Sequence, residues 1–220
     1  MTDRPTSGAR DTGRSLERLA ARVAGLRAPL DRVSTRMAHV GGWLFMIVSF
    51  YISFDVIARK YFGFTTKGAD ELSSYALALG STWGLAHVLV QKGHVRIDIL
   101  WNHFSARVQA YLNVLALALL NLFVGLLAWH AWAMVGESIR LGAEAATPLS
   151  TPLMYPQGLW ALGLTWFLLI GLLVMLQALL LLAAGQAKRV AGEFGPVALE
   201  EELDREMAAV AGVPVDRPGA

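Results

Sequence analysis

The sequence predicts an all-α integral membrane protein. Four transmembrane helices follow an amphipathic interfacial helix, and both termini are cytoplasmic. Three observations carry this reading. The 220 residues are 55% hydrophobic and only 16% charged, and mean hydropathy is +0.47, a balance foreign to most soluble domains of this length. The charges crowd the first 40 residues, the gaps between apolar runs and the stretch after Lys188. Four apolar runs have the length of a bilayer crossing, about 20 residues for a hydrocarbon core ~30 Å thick.

The runs cover residues 38–58, 72–91, 109–135 and 158–184. The second is the least apolar, with Ser73, Ser74, Ser81, Thr82 and His87 inside it. The fourth has no charge. At 1.5 Å per residue it would be about 40 Å long, which predicts tilt or extension past the hydrocarbon. Trp43, Trp129, Trp132 and Trp160 fall near span ends, where indole prefers the interface.

Lysine and arginine set the orientation. With the N-terminus inside, Arg22, Arg27, Arg32, Arg36, Lys92, Arg96, Arg107, Lys188 and Arg189 are cytoplasmic, nine in all. Arg59, Lys60, Lys67 and Arg140, four in all, lie outside. The first apolar run is too long for a signal-peptide core, and Asp3, Asp11, Glu17 and Asp31 speak against an acid-poor transit peptide.

The remaining segments give the domain plan. Residues 1–14 read as a flexible N-terminus. Over 15–40, Leu16, Leu19, Val23, Leu26, Leu30, Val33 and Met37 recur at spacings of three and four, with Arg18, Arg22, Arg32 and Arg36 between them. That predicts a basic helix lying in the membrane interface, kinked or divided at Pro29; a docking or coiled-coil helix is the plainer alternative. Residues 41–185 form the four-helix domain, and 186–220 an acidic cytoplasmic tail with Glu200, Glu201, Glu202, Asp204 and Glu206.

Several function classes drop out. No cysteine is present, which excludes disulfides, iron–sulfur clusters, thiolate zinc sites and c-type haem attachment. Eight arginines precede Trp43, but no aromatics are interleaved with them, so nucleic acid is not an expected partner. No phosphate-binding loop, zinc-protease motif or serine elbow occurs. The chain reads as a non-enzyme without cofactor or metal, and the lipid bilayer is its first partner.

Candidate residues are few. Asp55 and Arg59 stand four apart, acid first, the favourable order for a helical ion pair. An intramembrane charge marks function by default; a pair that ends the helix or meets a partner is the plainer reading. Ala76, Gly80 and Gly84 form a small-residue ridge on the second span, where another helix approaches closely. His87 lies on much the same face, as a ligand, a proton relay or an interhelical hydrogen-bond partner. His130 is roughly 15 Å from it in depth, too far for one bis-histidine haem. Asn113, Asn121 and Gln177 must find partners in lipid.

These residues resemble a known family. The chain is similar, from about Trp43 to Leu182, to the small membrane subunit of tripartite ATP-independent periplasmic (TRAP) transporters, the DctQ-like family. Asp55-Val56-Ile57-Ala58-Arg59 with Tyr61-Phe62-Gly63 resembles its D-x-I-x-R stretch and aromatic-Gly turn. Glu71-Leu72-Ser73 resembles the E-L-S that opens its second helix. Lys92-Gly93-His94-Val95-Arg96-Ile97-Asp98 resembles its G-H-V/I-R-V/I-D signature, and Pro156-Gln157-Gly158 its Pro-x-Gly entry to the last helix. The arginine-rich start, the acidic tail and the 147–156 loop depart from the pattern.

The resemblance implies a multi-pass subunit of the bacterial inner membrane. A large permease subunit would carry substrate and sodium, and a periplasmic solute-binding protein would deliver an organic anion such as a carboxylate. This chain would scaffold the large subunit and help dock the binding protein. Glu71, with Asp55 and Arg59, would organise the outer ends of spans one and two. His94, Arg96 and Asp98 would shape the cytoplasmic turn, against a plainer reading as a solvated loop. Segments 59–71 and 136–157 would touch the binding protein. Two other readings stay open: a haem- or quinone-binding membrane anchor of an oxidoreductase, and a free-standing four-helix scaffold.

Overall fold

The computed structural model describes residues 7–91, 104–194 and Met207. The described residues are helical apart from their loops. Among the described residues five helices follow in order: α1 (Ser7–Phe62), α2 (Ala69–Val90), α3 (Ala106–Leu141), α4 (Met154–Ala183) and α5 (Ala187–Phe194). Three of them, α1, α3 and α4, are long and apolar enough to cross a membrane. The second expected span, 72–91, is α2, which has the length, at 22 residues, but not the apolarity.

The polar side chains inside α2 make that difference, and the fold satisfies them. α2 lies against both α1 and α4, and Ala76, Gly80, Thr82, Ala86 and Leu89 are buried there. Its hydroxyls fold back onto its own backbone. Ser73 and Ser74 donate to the Asp70 carbonyl at 2.9 and 2.8 Å, and Thr82 donates to Ala78 at 2.8 Å. Polar side chains are tolerated in an apolar setting where their groups are satisfied internally.

α4 is the hub. It packs on α1, α2, α3 and α5, whereas α3 reaches the rest of the fold chiefly through α4 and α5. Ala161, Leu164, Phe167, Ile170, Val174, Ala178 and Leu181 of α4 are buried at helical spacing. Glycines allow close approach. A Cβ on Gly163 would stand 2.6 Å from Trp83 Cδ1, and one on Gly171 2.5 Å from Asn121 Oδ1.

α1 differs most from expectation. The interfacial helix and the first span are one continuous helix of 56 residues with Pro29 inside it, about 84 Å long. Pro29 removes one backbone donor, yet the helix is not divided. A buried seam runs through both halves: Ala20, Ser34, Gly41 and Asp55 are all buried. Ser34 accepts a hydrogen bond from Trp166 Nε1 at 2.9 Å, and Arg27 donates to Gln177 Oε1 at 3.0 Å. The arginine-rich half therefore stands against α4.

The stretch read as a tail begins as a packed helix. At the α4 C-terminus, Gly185 takes φ 77°, and Gln186 N–H bonds back to Leu181 at 2.9 Å, so the chain reverses. α5 then buries Val190 and Phe194 against α3 and α4. The acidic residues 200–206 lie outside the described residues.

Candidate functional site

One group of polar residues lies at the end where α1 meets α2 and α3 meets α4. Gly63 adopts φ 65° and Lys67 φ 56° in the first connection; Gly142 adopts φ 59° at the start of the second. In the second loop Ala143 N–H bonds to Ser138 at 2.9 Å, closing α3. Ala145 N–H to Thr151 and Leu153 N–H to Ala143, each 2.9 Å, then zip the loop into a small hairpin.

A buried carboxylate holds each loop. Asp55 is 0% exposed. Its Oδ1 accepts from Thr66 N–H at 2.7 Å, Thr66 Oγ1 at 2.6 Å and Thr65 Oγ1 at 3.2 Å. Arg59 Nη2 bonds Oδ2 at 2.6 Å. Tyr51 donates to Thr66 Oγ1 at 2.6 Å, extending the chain of bonds by one hydroxyl. The Arg59 side chain is 63% exposed. The ion pair alone would be a weak device in that setting; the amide and hydroxyls of 65–66 supply most of the acceptor's satisfaction.

Glu71, also buried, accepts from Tyr75 at 2.8 Å within α2 and from the Thr147 hydroxyl of the second loop. The Thr147 and Thr151 hydroxyls hold its carboxyl below the usual carboxylate range, against the opposing effect of burial. Gly68 sits where the two loops meet: a Cβ there would stand 2.7 Å from Leu149 Cδ1 and 3.1 Å from Tyr51 Oη.

Sequence reasoning placed Asp55, Arg59 and Glu71 at this end together. The structure puts them there in two separate networks: Glu71 serves the 147–151 loop and neither Asp55 nor Arg59. The hydroxyl partners Tyr51, Thr65, Thr66, Thr147 and Thr151 were missed. Thr65-Thr66 directly after an aromatic-Gly turn, and Thr147 and Thr151 among prolines, were the available signals.

The other candidates fall elsewhere. Gly80 makes the close approach expected of it: a Cβ on Gly41 of α1 would lie 3.0 Å from the Gly80 carbonyl oxygen, and one on Gly80 2.5 Å from Phe45 Cε2. Gly84 has nothing within 4 Å of a Cβ position, so the ridge stops short of it. His87 Nδ1 lies 3.2 Å from Thr35 Oγ1 of α1, while His130 is exposed on α3. Nothing brings the two histidines together. Among the described residues no group of three or more metal-binding side chains occurs. His94, Arg96 and Asp98 lie outside the described residues.

A second polar cluster lies toward the far end of α4. Arg27 joins Asp31 at 3.2 Å, Gln177 bridges Arg27 to Glu193 Oε2 at 3.4 Å, and Arg189 meets Glu193 at 3.0 Å. Gln186 donates to Glu17 at 2.7 Å. These contacts tie α1, α4 and α5.

The fold and its two polar ends define a helical membrane subunit whose buried charges organise its own loops. The chain belongs to the DctQ family: the model for the DctQ component of tripartite ATP-independent periplasmic transporters matches residues 35–183, more than half of the chain. That family is a transporter component and not an enzyme family. Comparison with curated proteins and with solved structures returns no match.

Proposed function

We propose that this chain is the small scaffolding subunit of a TRAP-type secondary transporter in the bacterial inner membrane. It crosses the membrane four times, with both termini cytoplasmic. It holds the large permease subunit and presents the Asp55–Glu71 end to the periplasmic binding protein during sodium-coupled uptake of an organic anion. The observation that carries this reading is the pair of buried carboxylates, each holding a loop at the same end. Carboxylates saturated by fixed donors build a rigid surface, as a docking platform requires.

Membrane placement supports it. On α4, Gln157 accepts from Ser138 at 2.6 Å, and Gln177 belongs to the opposite polar cluster. Twenty residues of helix separate them, about 30 Å, the thickness of the hydrocarbon core. The nine-to-four bias of lysine and arginine puts the Gln177 end inside.

The test is sodium-dependent uptake by cells carrying the large subunit and the binding protein, with and without this chain. The expected result is uptake only with the chain. Replacing Asp55 and Glu71 together with alanine should reduce uptake while the chain still reaches the membrane. Full uptake in the double variant would remove the platform role.

A further inference from the structure

The long helix α1 carries two parallel seams. The buried one passes through Ala20, Ser34, Gly41 and Asp55, all separated by multiples of seven residues, and faces α2 and α4. A second seam is exposed. Every seventh residue from Leu19 to Tyr61 is large and apolar (Leu, Leu, Val, Val, Ile, Phe, Tyr), and every one is exposed. Trp43, Phe50 and Ile57 fill the intermediate positions, with Phe50 73% exposed. At about 100° per residue this stripe is centred about 130° around the helix from the buried seam. Sustained seven-residue spacing is the signature of a helix that packs on another helix.

Lipid covers only part of it. Leu19 to Tyr61 spans about 63 Å; even tilted by ~40°, the stripe would exceed the ~30 Å hydrocarbon core. Nor does the arginine-rich half lie flat in the interface, because Arg27, Ser34 and Thr35 hold it against α4 and α2. Between Thr12 and His39 the exposed large hydrophobics are Leu19, Leu26 and Val33, each on the stripe. Arg22 and Arg36 occupy the intermediate positions of that half, and neither pairs with an acid among the described residues.

We infer that this stripe is the docking seam for a single helix of another component of the transporter, apolar along the membrane and acidic where it passes Arg22 and Arg36. A second copy of this chain fits poorly. Two copies in one membrane run parallel, which sets Arg22 against Arg22 and Arg36 against Arg36. The inference rests on the subunit reading above and adds the surface and the charge of the partner.

The test places a photo-crosslinking amino acid at Leu26, Phe50 or Phe54, and at the exposed α3 positions Leu119 and Phe123 as comparison. The chain is expressed with the other two components, and co-purification is followed in parallel. The expected result is an adduct with one other component from 26, 50 and 54, and none from 119 or 123. Arg22→Glu with Arg36→Glu should lower that adduct at least tenfold, whereas lysine at both positions should retain it. Adducts with lipid alone, with a second copy of the chain, or only from α3 would overturn the seam while co-purification upheld the subunit reading. Loss of co-purification in the unmodified system would overturn both.

Discussion

At the scale of single residues, the acids matter through what they accept. Asp55 reads from sequence as half of an ion pair with Arg59. In the fold Arg59 is one donor among several, and the Thr65–Thr66 segment supplies the rest. Arg59→Ala should therefore be milder than Asp55→Ala, which strands a backbone amide and two hydroxyls. Removing one hydroxyl, as in Thr66→Val, should cost about 1 kcal/mol. Thermal unfolding in detergent orders the three, with Asp55→Ala the least stable. Glu71 adds a pH dependence. Its folded carboxyl titrates below the ordinary 4.5, so the stability it gives is present above that value and is lost as pH falls through the depressed one. Protease cleavage within 143–153 should rise on acidification below about 4.5, and Glu71→Gln should flatten that rise. An unchanged profile in the variant would assign the acid sensitivity to another group.

At the scale of elements, the small-residue ridge separates what sequence shows from what it hides. Spacing placed Gly80 and Gly84 on one face of α2. It could not show that α1 closes on Gly80 at Gly41 yet leaves open space at Gly84, because that depends on how two helices are set against each other and not on the periodicity of one. The consequence is a contrast. Gly41→Ala forces a Cβ against the Gly80 backbone at 3.0 Å, where no side chain can swing aside, and should cost about 1–3 kcal/mol. Gly84→Ala meets open space and should be neutral or stabilising by up to ~1 kcal/mol from helix propensity. Melting temperatures of the two variants in the same detergent decide it; equal effects would mean that the helices do not cross at Gly41. The same logic explains α1 and α5. Amphipathic spacing found the helix over 15–40, but an apolar face is compatible with a membrane surface or a neighbouring helix. The buried Ser34 and the Arg27–Gln177 contact favour the neighbour. Sequence places α5 in the acidic tail, and its eight residues are too few for an isolated helix to be stable. Its stability comes from Val190 and Phe194 in the core. Phe194→Ala should cost about 3 kcal/mol and expose 186–194 to proteolysis, with the α3–α4 pair unaffected.

At the scale of the whole molecule, three of the four expected spans are legible because α1, α3 and α4 carry long apolar runs. α2 is the weak signal, its apolar run interrupted by serines, a threonine and a histidine whose partners only the fold supplies. The hub role of α4 was not legible, since its uniformly apolar sequence has no preferred face. Helix packing places Leu149 at the end held by Asp55 and Glu71, and Arg22 and Ala183 toward the opposite end. Because the chain has no cysteine, single cysteines report on each end without background. In the orientation proposed from the basic residues, Leu149→Cys should react with a membrane-impermeant thiol reagent in intact cells. Arg22→Cys and Ala183→Cys should react only after the membrane is permeabilised. Labelling of position 149 alone in intact cells fixes the loop end as the face available to a periplasmic partner. The reverse pattern would put that end in the cytoplasm and leave the platform on the wrong side for any protein delivered from outside.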